Sequence, residues 1–228
     1  MSKSYPSDPA MLTIIRNCEA IRQGHYFFTR DYHTNVKIAT YLIFKDPKYT
    51  NLIAKAMYER FKDENVTYVL TPNKIEGYLL AHNIAERFNA FVTYVHREED
   101  QLFLPEICIS SNEKVLIVDD GINTGNSLKT LVLIVGEKIK AEIVGASIFL
   151  DRYVGTLEED FRGIKIETLI SLPEYPIFDM QNEECPLCKE YGKVSGELRE
   201  ISKEKKGTKR YFDLLKSKML LELRPAYG

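Results

Sequence analysis

Two adjacent carboxylates, Asp119 and Asp120, close an apolar run in the stretch "KVLIVDDGINTGNSL", Lys114 to Leu128, and are followed by a turn of small and hydroxyl-bearing residues. Gly121 and Gly125 permit positive φ and close backbone approach, and Thr124 and Ser127 carry hydroxyls able to bond phosphate oxygens. A turn of this kind at a helix start presents unpaired N–H groups and a positive dipole end, which suits an anion. Two carboxylates beside a phosphate repel it unless they face another part of the ligand, such as sugar hydroxyls, or share a divalent cation with it. A ribose phosphate with magnesium meets both conditions. An ordinary capping turn with solvated aspartates is the alternative. Neither G-x-x-x-x-G-K-[ST] nor G-x-G-x-x-G occurs, so nucleoside triphosphatase and dinucleotide readings lose their main warrant.

The acids must be positioned by a strand. Val115, Leu116, Ile117 and Val118 lack the alternation of a half-exposed strand and read as one covered on both faces, while Leu128, Leu131, Val132 and Val135 recur at helical spacing. The unit is strand, loop, helix, with the acids at the carboxyl end of the strand, where open α/β sheets bind ligands.

The surrounding chain repeats this pattern. Met11, Ile14, Ile15, Cys18 and Ile21 share a helical face with Gly24 as a stop, and "HYFFTRDYHTNVKIATYLI" reads as two extended runs turning at Asp31 and Tyr32. A helix is expected over Tyr49 to Phe61, a strand over Val66 to Thr71 and a helix over Tyr78 to Phe88. Further strands are expected over Phe91 to Val95, Ile107 to Ser110, Val115 to Val118, Ile143 to Leu150 and Ile164 to Ile170, with a helix over Leu128 to Ile139. Ile107 to Ser110 and Val115 to Val118, separated by "SNEK", suggest an antiparallel ribbon. From Lys193 onward the chain is basic, and Tyr211, Leu214, Leu215, Met219 and Leu220 mark an amphipathic helix. Its lysines and arginine, Lys205, Lys206, Lys209 and Arg210 among them, read as a solvated face rather than an RNA site.

Composition bounds the function. The 228 residues carry 31 Lys and Arg against 33 Asp and Glu, a net charge of −2, so no global attraction to nucleic acid is visible and none is expected as a partner. No apolar stretch is long enough to span a bilayer, and the polar start "MSKSYPSDPA" lacks a secretory apolar region, so a cytoplasmic location is expected. Of the four cysteines, Cys185 and Cys188 form a C-P-L-C pair, half of a possible zinc site. The sequence has no second pair at suitable spacing. Zinc at Cys185 and Cys188 is therefore not expected, although distant ligands or another subunit would complete such a site.

The stretch around Asp119 and Asp120 resembles the phosphoribosyl diphosphate (PRPP) binding motif of type I phosphoribosyltransferases: an apolar strand, two acids, two variable positions, then a Thr/Gly-rich loop. The resemblance implies that Asp119 and Asp120 hold the ribose 2′- and 3′-hydroxyls, and that Asn123, Thr124, Gly125, Asn126 and Ser127 cradle the 5′-phosphate. Gly24 to Phe61 is similar to the amino-terminal section of orotate phosphoribosyltransferases, and "CPLC" also occurs in members of that family. In that family the loop after the first sheet strand binds pyrophosphate; here it is "TPNKIEG", Thr71 to Gly77, which departs from the family's G-P-x-x-x-G form, with Lys74 either its cation or a surface lysine at a helix start, and with Glu76 as an unfavourable neighbour. Arg97 matches a basic position that precedes the family's mobile loop and would reach pyrophosphate; pairing with the adjacent acids instead is the alternative.

Departures from the family are equally concrete. The lysine-rich mobile loop is replaced by the shorter "VHREEDQLFLPEICISSNEK", in which Glu98, Glu99 and Asp100 stand where cations are expected and His96 is a lone histidine at a strand end. Arg30 and Asp31 replace a Ser-Gly pair in the hairpin. Hypoxanthine-type members place an acid where Asn123 stands, and an amide cannot exchange a proton with a purine at neutral pH, which argues against purine salvage.

The resulting expectation is an α/β protein of the type I phosphoribosyltransferase fold. It has a doubly wound, mostly parallel five-stranded sheet, an N-terminal hood-like helix and hairpin layer over 1–62, a PRPP-binding core over 63–172, and a C-terminal segment with a helical tail over 173–228. The implied activity is magnesium-dependent transfer of ribose 5-phosphate from PRPP to a nucleobase-like acceptor, orotate leading, by a homodimer. Magnesium would be held through PRPP, with Asp119 and Asp120 as further candidates. A regulator that senses PRPP without chemistry and binds a protein or RNA partner is the alternative, favoured by the acidic loop.

Overall fold

A computed structural model describes residues 8–29, 32–98, 101–103, 109–172, 175, 177–179 and 185–191, giving backbone alone at 27–29, 96–98, 101–103 and 190–191. In chain order the elements are α1 (Pro9–Asn17), β1 (Ile21–Thr29), β2 (Tyr32–Ile38), α2 (Tyr41–Phe44), α3 (Pro47–Glu59), β3 (Tyr68–Pro72), α4 (Ile75–Phe88), β4 (Phe91–Glu98), β5 (Gln101–Phe103), β6 (Lys114–Ile122), α5 (Asn126–Leu133), β7 (Glu142–Asp151), α6 (Leu157–Asp160), β8 (Ile166–Ser171), β9 (Ile177–Asp179) and α7 (Pro186–Tyr191). The helix begun by α5 continues as a π-helical turn, Ile134–Ile139. The described residues fall into two compact units, one drawn from Met1–Arg22 with Lys37–Ile177 and the other from Gln23–Val36 with Phe178–Gly228.

The larger unit is built on a sheet with strand order β5-β4-β3-β6-β7-β8. Five strands, β4, β3, β6, β7 and β8, run parallel, and short β5 adds an antiparallel edge to β4. This is the expected five-stranded α/β sheet. The run Val115–Val118 is fully buried because its alternate residues enter two different cores. Leu116 and Val118 pack in the cluster of α1, α3 and α4, with Ile15, Ile53, Met57, Leu80 and Ile84. Val115 and Ile117 pack with Leu128, Leu131 and Val135 of the following helix. A strand covered on both faces needs apolar residues at every position, which accounts for the missing alternation.

Local signals set the element ends. Asp8 and Asp46 cap α1 and α3, each carboxylate accepting an N–H two residues on at 2.9 Å, with proline at the first helical position. Asn89, in the left-handed region, terminates α4. Three expectations need correction. The first helix stops at Asn17, Glu19 has φ 49°, and Ile21 and Gly24 belong to β1. Gly121 lies in β6 opposite Leu150 and has no positive φ. No strand forms at Ile109–Ser110, because β3 and β7 occupy both edges of β6; the antiparallel ribbon is β4–β5 instead. Ile107, Cys108, the turn at Arg30 and Asp31, and the tail from Lys193 lie outside the described residues.

In the smaller unit, β1, β2 and β9 form a three-stranded sheet in that order, and α7 follows from Cys185. The two extended runs expected around residue 31 are β1 and β2.

Candidate active site

After β3 the sheet grows toward β4; the chain then returns past β3 to lay down β6 and grows the other way through β7 and β8. The strand order therefore reverses between β3 and β6, and open α/β sheets form their ligand crevice beyond the carboxyl ends at such a point. Asp119 and Asp120 lie at that end of β6, and Lys74, two residues beyond the end of β3, is the residue before α4. The Lys74 Nζ lies 3.7 Å from Asp119 Oδ1 and 3.6 Å from Asp120 Oδ1. The sequence brings these charges together although 45 positions separate Lys74 from Asp119.

The two acids are held differently. Asp119 is buried, and its Oδ1 accepts the Asp120 N–H at 2.9 Å. Asp120 is partly exposed, and its Oδ2 accepts the Thr40 hydroxyl at 2.8 Å. Burial pushes the Asp119 carboxyl well above the usual carboxylate range; Lys74 opposes this and the neighbouring Asp120 adds to it. Partial burial works to lower the Lys74 ammonium, but the two carboxylates outweigh it and hold the lysine above its ordinary value. The site thus concentrates two carboxyls against one ammonium in a poorly solvated place. Asp120 Oδ1 is buried with no hydrogen bond, apart from its ion pair with Lys74. Such oxygens are donors of the hard kind that magnesium takes.

The packing that fixes this cluster comes from β3 and the start of α4. Gly77 sits where a Cβ would lie 2.5 Å from Thr71 Oγ1 and 3.6 Å from Asp119 Oδ1. Only a glycine lets the first turn of α4 approach the end of β3 this closely. Glu76 stands in that turn, half-buried.

Residues Asn123–Ser127 link β6 to α5. Gly125 is the N-cap of α5 at φ 72°, with no side-chain cap, and a Cβ there would lie 2.7 Å from the Tyr153 ring. The first N–H groups of α5 therefore have no capping side chain, an arrangement open to an anion. The loop is anchored through the Asn123 carbonyl, which accepts the Val154 N–H at 3.0 Å. Thr124 is half-buried, and Asn126 and Ser127 are exposed. At the end of neighbouring β7, burial raises the Asp151 carboxyl while the Tyr153 N–H, 2.9 Å away, counters it.

Of the expected residues, Asp119, Asp120 and Lys74 meet directly, and Asn123 to Ser127 form the loop that follows them. Arg97 lies on β4 opposite Leu102; its side chain, with those of His96 and Glu98, is outside the described part, as are Glu99 and Asp100. Sequence reasoning missed Thr40 and Gly77, whose roles depend on contacts with distant residues. It also missed His25 and His33, which stand beside the C-P-L-C cysteines. An open cleft of about 510 Å³, lined by Tyr58, Asn65, Thr67, Arg87 and Phe91 among others, lies at the amino ends of the strands, the opposite edge from the acids.

The chain is similar in sequence and fold to known proteins. The family described as phosphoribosyl transferase domain matches residues 42–175. An orotate phosphoribosyltransferase from Caldanaerobacter subterraneus subsp. tengcongensis is 30% identical over 181 residues, covering 79% of this chain and 91% of that protein. The crystal structure of orotate phosphoribosyltransferase from Aeropyrum pernix has a TM-score of 0.60 at 16% identity, over 72% of this chain and 94% of that one. An adenine phosphoribosyltransferase from Rhodothermus marinus gives 0.58 at 18% identity, over 72% of this chain and all of that one (100%). The structural likeness thus carries the fold across relatives with different bases. Because the matched segment spans Lys74, the acid pair and the α5 loop, and the curated relative aligns along nearly its whole length, the chain belongs to the phosphoribosyltransferase family of transferase enzymes.

Proposed function

We propose that the protein transfers the 5-phosphoribosyl group of PRPP to a ring nitrogen of orotate, with magnesium, releasing pyrophosphate. The observation that carries this reading is the convergence of Asp119, Asp120 and the Lys74 ammonium at the β3/β6 reversal, directly ahead of the uncapped start of α5. Orotate is supported by the name of the curated relative and by Asn123, an amide where proton exchange with a purine would need an acid. Those relatives are enzymes, so a PRPP sensor without chemistry is not favoured.

In this reading Asp119 and Asp120 accept hydrogen bonds from the ribose hydroxyls and stabilise positive charge on the sugar as its bond to pyrophosphate lengthens. The N–H groups at the start of α5, with the Thr124 and Ser127 hydroxyls and the Asn123–Gly125–Asn126 backbone, receive the 5′-phosphate. Lys74 moves from the acids to the diphosphate. Its ion pairs are longer than the roughly 2.7–2.9 Å of a charge-assisted hydrogen bond, and 46% of its side chain is exposed, so the exchange breaks no short bond. Arg97 is the second cation for pyrophosphate. Asp119 and Asp120 are the residues that would hold magnesium, which when bound with PRPP would supply neutralising charge for the diphosphate. Base nitrogen bonds to the anomeric carbon as the bond from that carbon to the pyrophosphate oxygen breaks, and the proton on the ring nitrogen is released to solvent; no protein nucleophile is needed.

A cytoplasmic homodimer belongs to the same proposal. Among the described residues, no helix is long and apolar enough to cross a membrane. Sedimentation equilibrium tests the assembly, and a monomer mass would overturn it. For the reaction, pyrophosphate release from PRPP and magnesium is measured with orotate, uracil, adenine, hypoxanthine and guanine. Release with orotate is expected. Release with a purine alone would replace the acceptor, and PRPP binding without release for any base would overturn the transfer.

A further inference from the structure

We propose that His25, His33, Cys185 and Cys188 form a structural zinc site inside the smaller unit. Their four donor atoms all lie within 4.8 Å of one another. His25 Nε2 is 3.1 Å from His33 Nδ1, 3.6 Å from Cys185 Sγ and 3.7 Å from Cys188 Sγ, and Cys188 Sγ is 3.3 Å from His33 Nδ1. A tetrahedral zinc with Zn–S of about 2.3 Å and Zn–N of about 2.0–2.1 Å requires neighbouring ligand atoms roughly 3.3–3.8 Å apart. Four of the six donor separations span 3.1–3.7 Å, within about 0.2 Å of that shell, and Cys185 and Cys188 are free thiols rather than a disulfide.

Hydrogen bonding accounts for the cluster less well. His25 Nε2 faces an imidazole nitrogen and two sulfurs at once, yet a ring nitrogen holds either one proton or one lone pair. A cation with tetrahedral preference engages all four donors together. Two thiolates and two neutral imidazoles also cancel the charge of the ion, which matters because His25, His33 and Cys185 are buried. Thiolate with imidazole selects zinc over the hard cations of the catalytic cleft. On binding, the two thiols release two protons, and no electron is transferred. All four positions are taken by protein, so the ion has no open site for a substrate and serves the fold. It links β1 and β2 to the start of α7 across 160 positions of sequence, tying the hairpin to the C-terminal segment. The C-P-L-C pair is completed by two histidines from neighbouring strands rather than by a second cysteine pair.

The test is metal analysis of the full chain, purified reduced and without chelator, as wild type, Cys185→Ser/Cys188→Ser and, as a control, Cys18→Ser. A single equivalent of zinc is expected in wild type and Cys18→Ser, with loss in the double variant. Cobalt(II)-loaded wild type is expected to show thiolate-to-cobalt charge transfer and the intense visible bands of a tetrahedral ion, a readout that holds even if the double variant does not fold. Equal zinc in wild type and double variant, an octahedral cobalt spectrum, or a metal-free chain whose intact mass shows a Cys185–Cys188 disulfide would each overturn the proposal.

Discussion

Asp119 is a buried carboxyl, whose charged form opposes stability while, in the proposed function, it serves ribose binding. Its raised pKa means that the folded state takes up a proton more readily than the unfolded chain. The stability due to the protonated form is complete below the unfolded value of about 4, and it is lost as pH rises toward the folded value. Asp119→Asn removes this loss. Thermal melts across pH should show a variant whose midpoint falls less than that of wild type as pH rises above about 4, while pyrophosphate release at neutral pH drops by roughly 10²–10³-fold. Thr40 acts through Asp120, to which its hydroxyl donates at 2.8 Å. Thr40→Val should cost about 1.5–3 kcal/mol, the usual worth of a hydrogen bond to a charged group, and lower kcat less than Asp120→Asn does. A kcat loss equal to that of Asp120→Asn would contradict a positioning role. The acids and their loop were legible in the sequence because they are contiguous. Thr40, 80 positions from its partner, carried no local signal.

At the scale of elements, the β6–loop–α5 unit depends on one backbone conformation. Gly125→Ala would place a side chain in the left-handed region, at a cost of about 1–2 kcal/mol, and against the Tyr153 ring. The expected outcome is a lower thermal midpoint and a raised KM for PRPP, read by melts and steady-state kinetics, while Gly136→Ala, which meets nothing within 4 Å, serves as the control. Gly77→Ala should act on the other side of the cleft by forcing α4 away from Thr71. Sequence periodicity found β6 and α5 because burial on both faces of the strand and one face of the helix leaves distinct patterns. It misplaced Ile21, whose spacing from Met11, Ile14 and Ile15 also fits a helix; the break at Glu19 is a backbone event that hydrophobicity does not report. It misplaced the antiparallel ribbon too, since strand pairing depends on which edges are already occupied.

For the whole molecule, chain order and spatial grouping diverge, and the two units differ in what the sequence reveals about them. The larger unit follows the alternation of strands and helices, so its doubly wound sheet and the site at its reversal were legible. The smaller unit joins Gln23–Val36 to residues from Phe178 onward, and nothing in local pattern links His25 and His33 to Cys185 and Cys188. If zinc holds that unit, a strong chelator should lower the melting temperature of wild type and leave Cys185→Ser/Cys188→Ser unchanged, since a ligand of the native state stabilises only the chain that binds it. The proposed activity belongs to the larger unit, and its most direct measurement is a crystal structure of the protein with PRPP and magnesium. The expected result is a 5′-phosphate on the amides of Gly125 to Ser127, ribose hydroxyls on Asp119 and Asp120, and Lys74 turned to the diphosphate. A sugar phosphate bound elsewhere, or carboxylates still paired with Lys74 and facing away from the ribose, would contradict it.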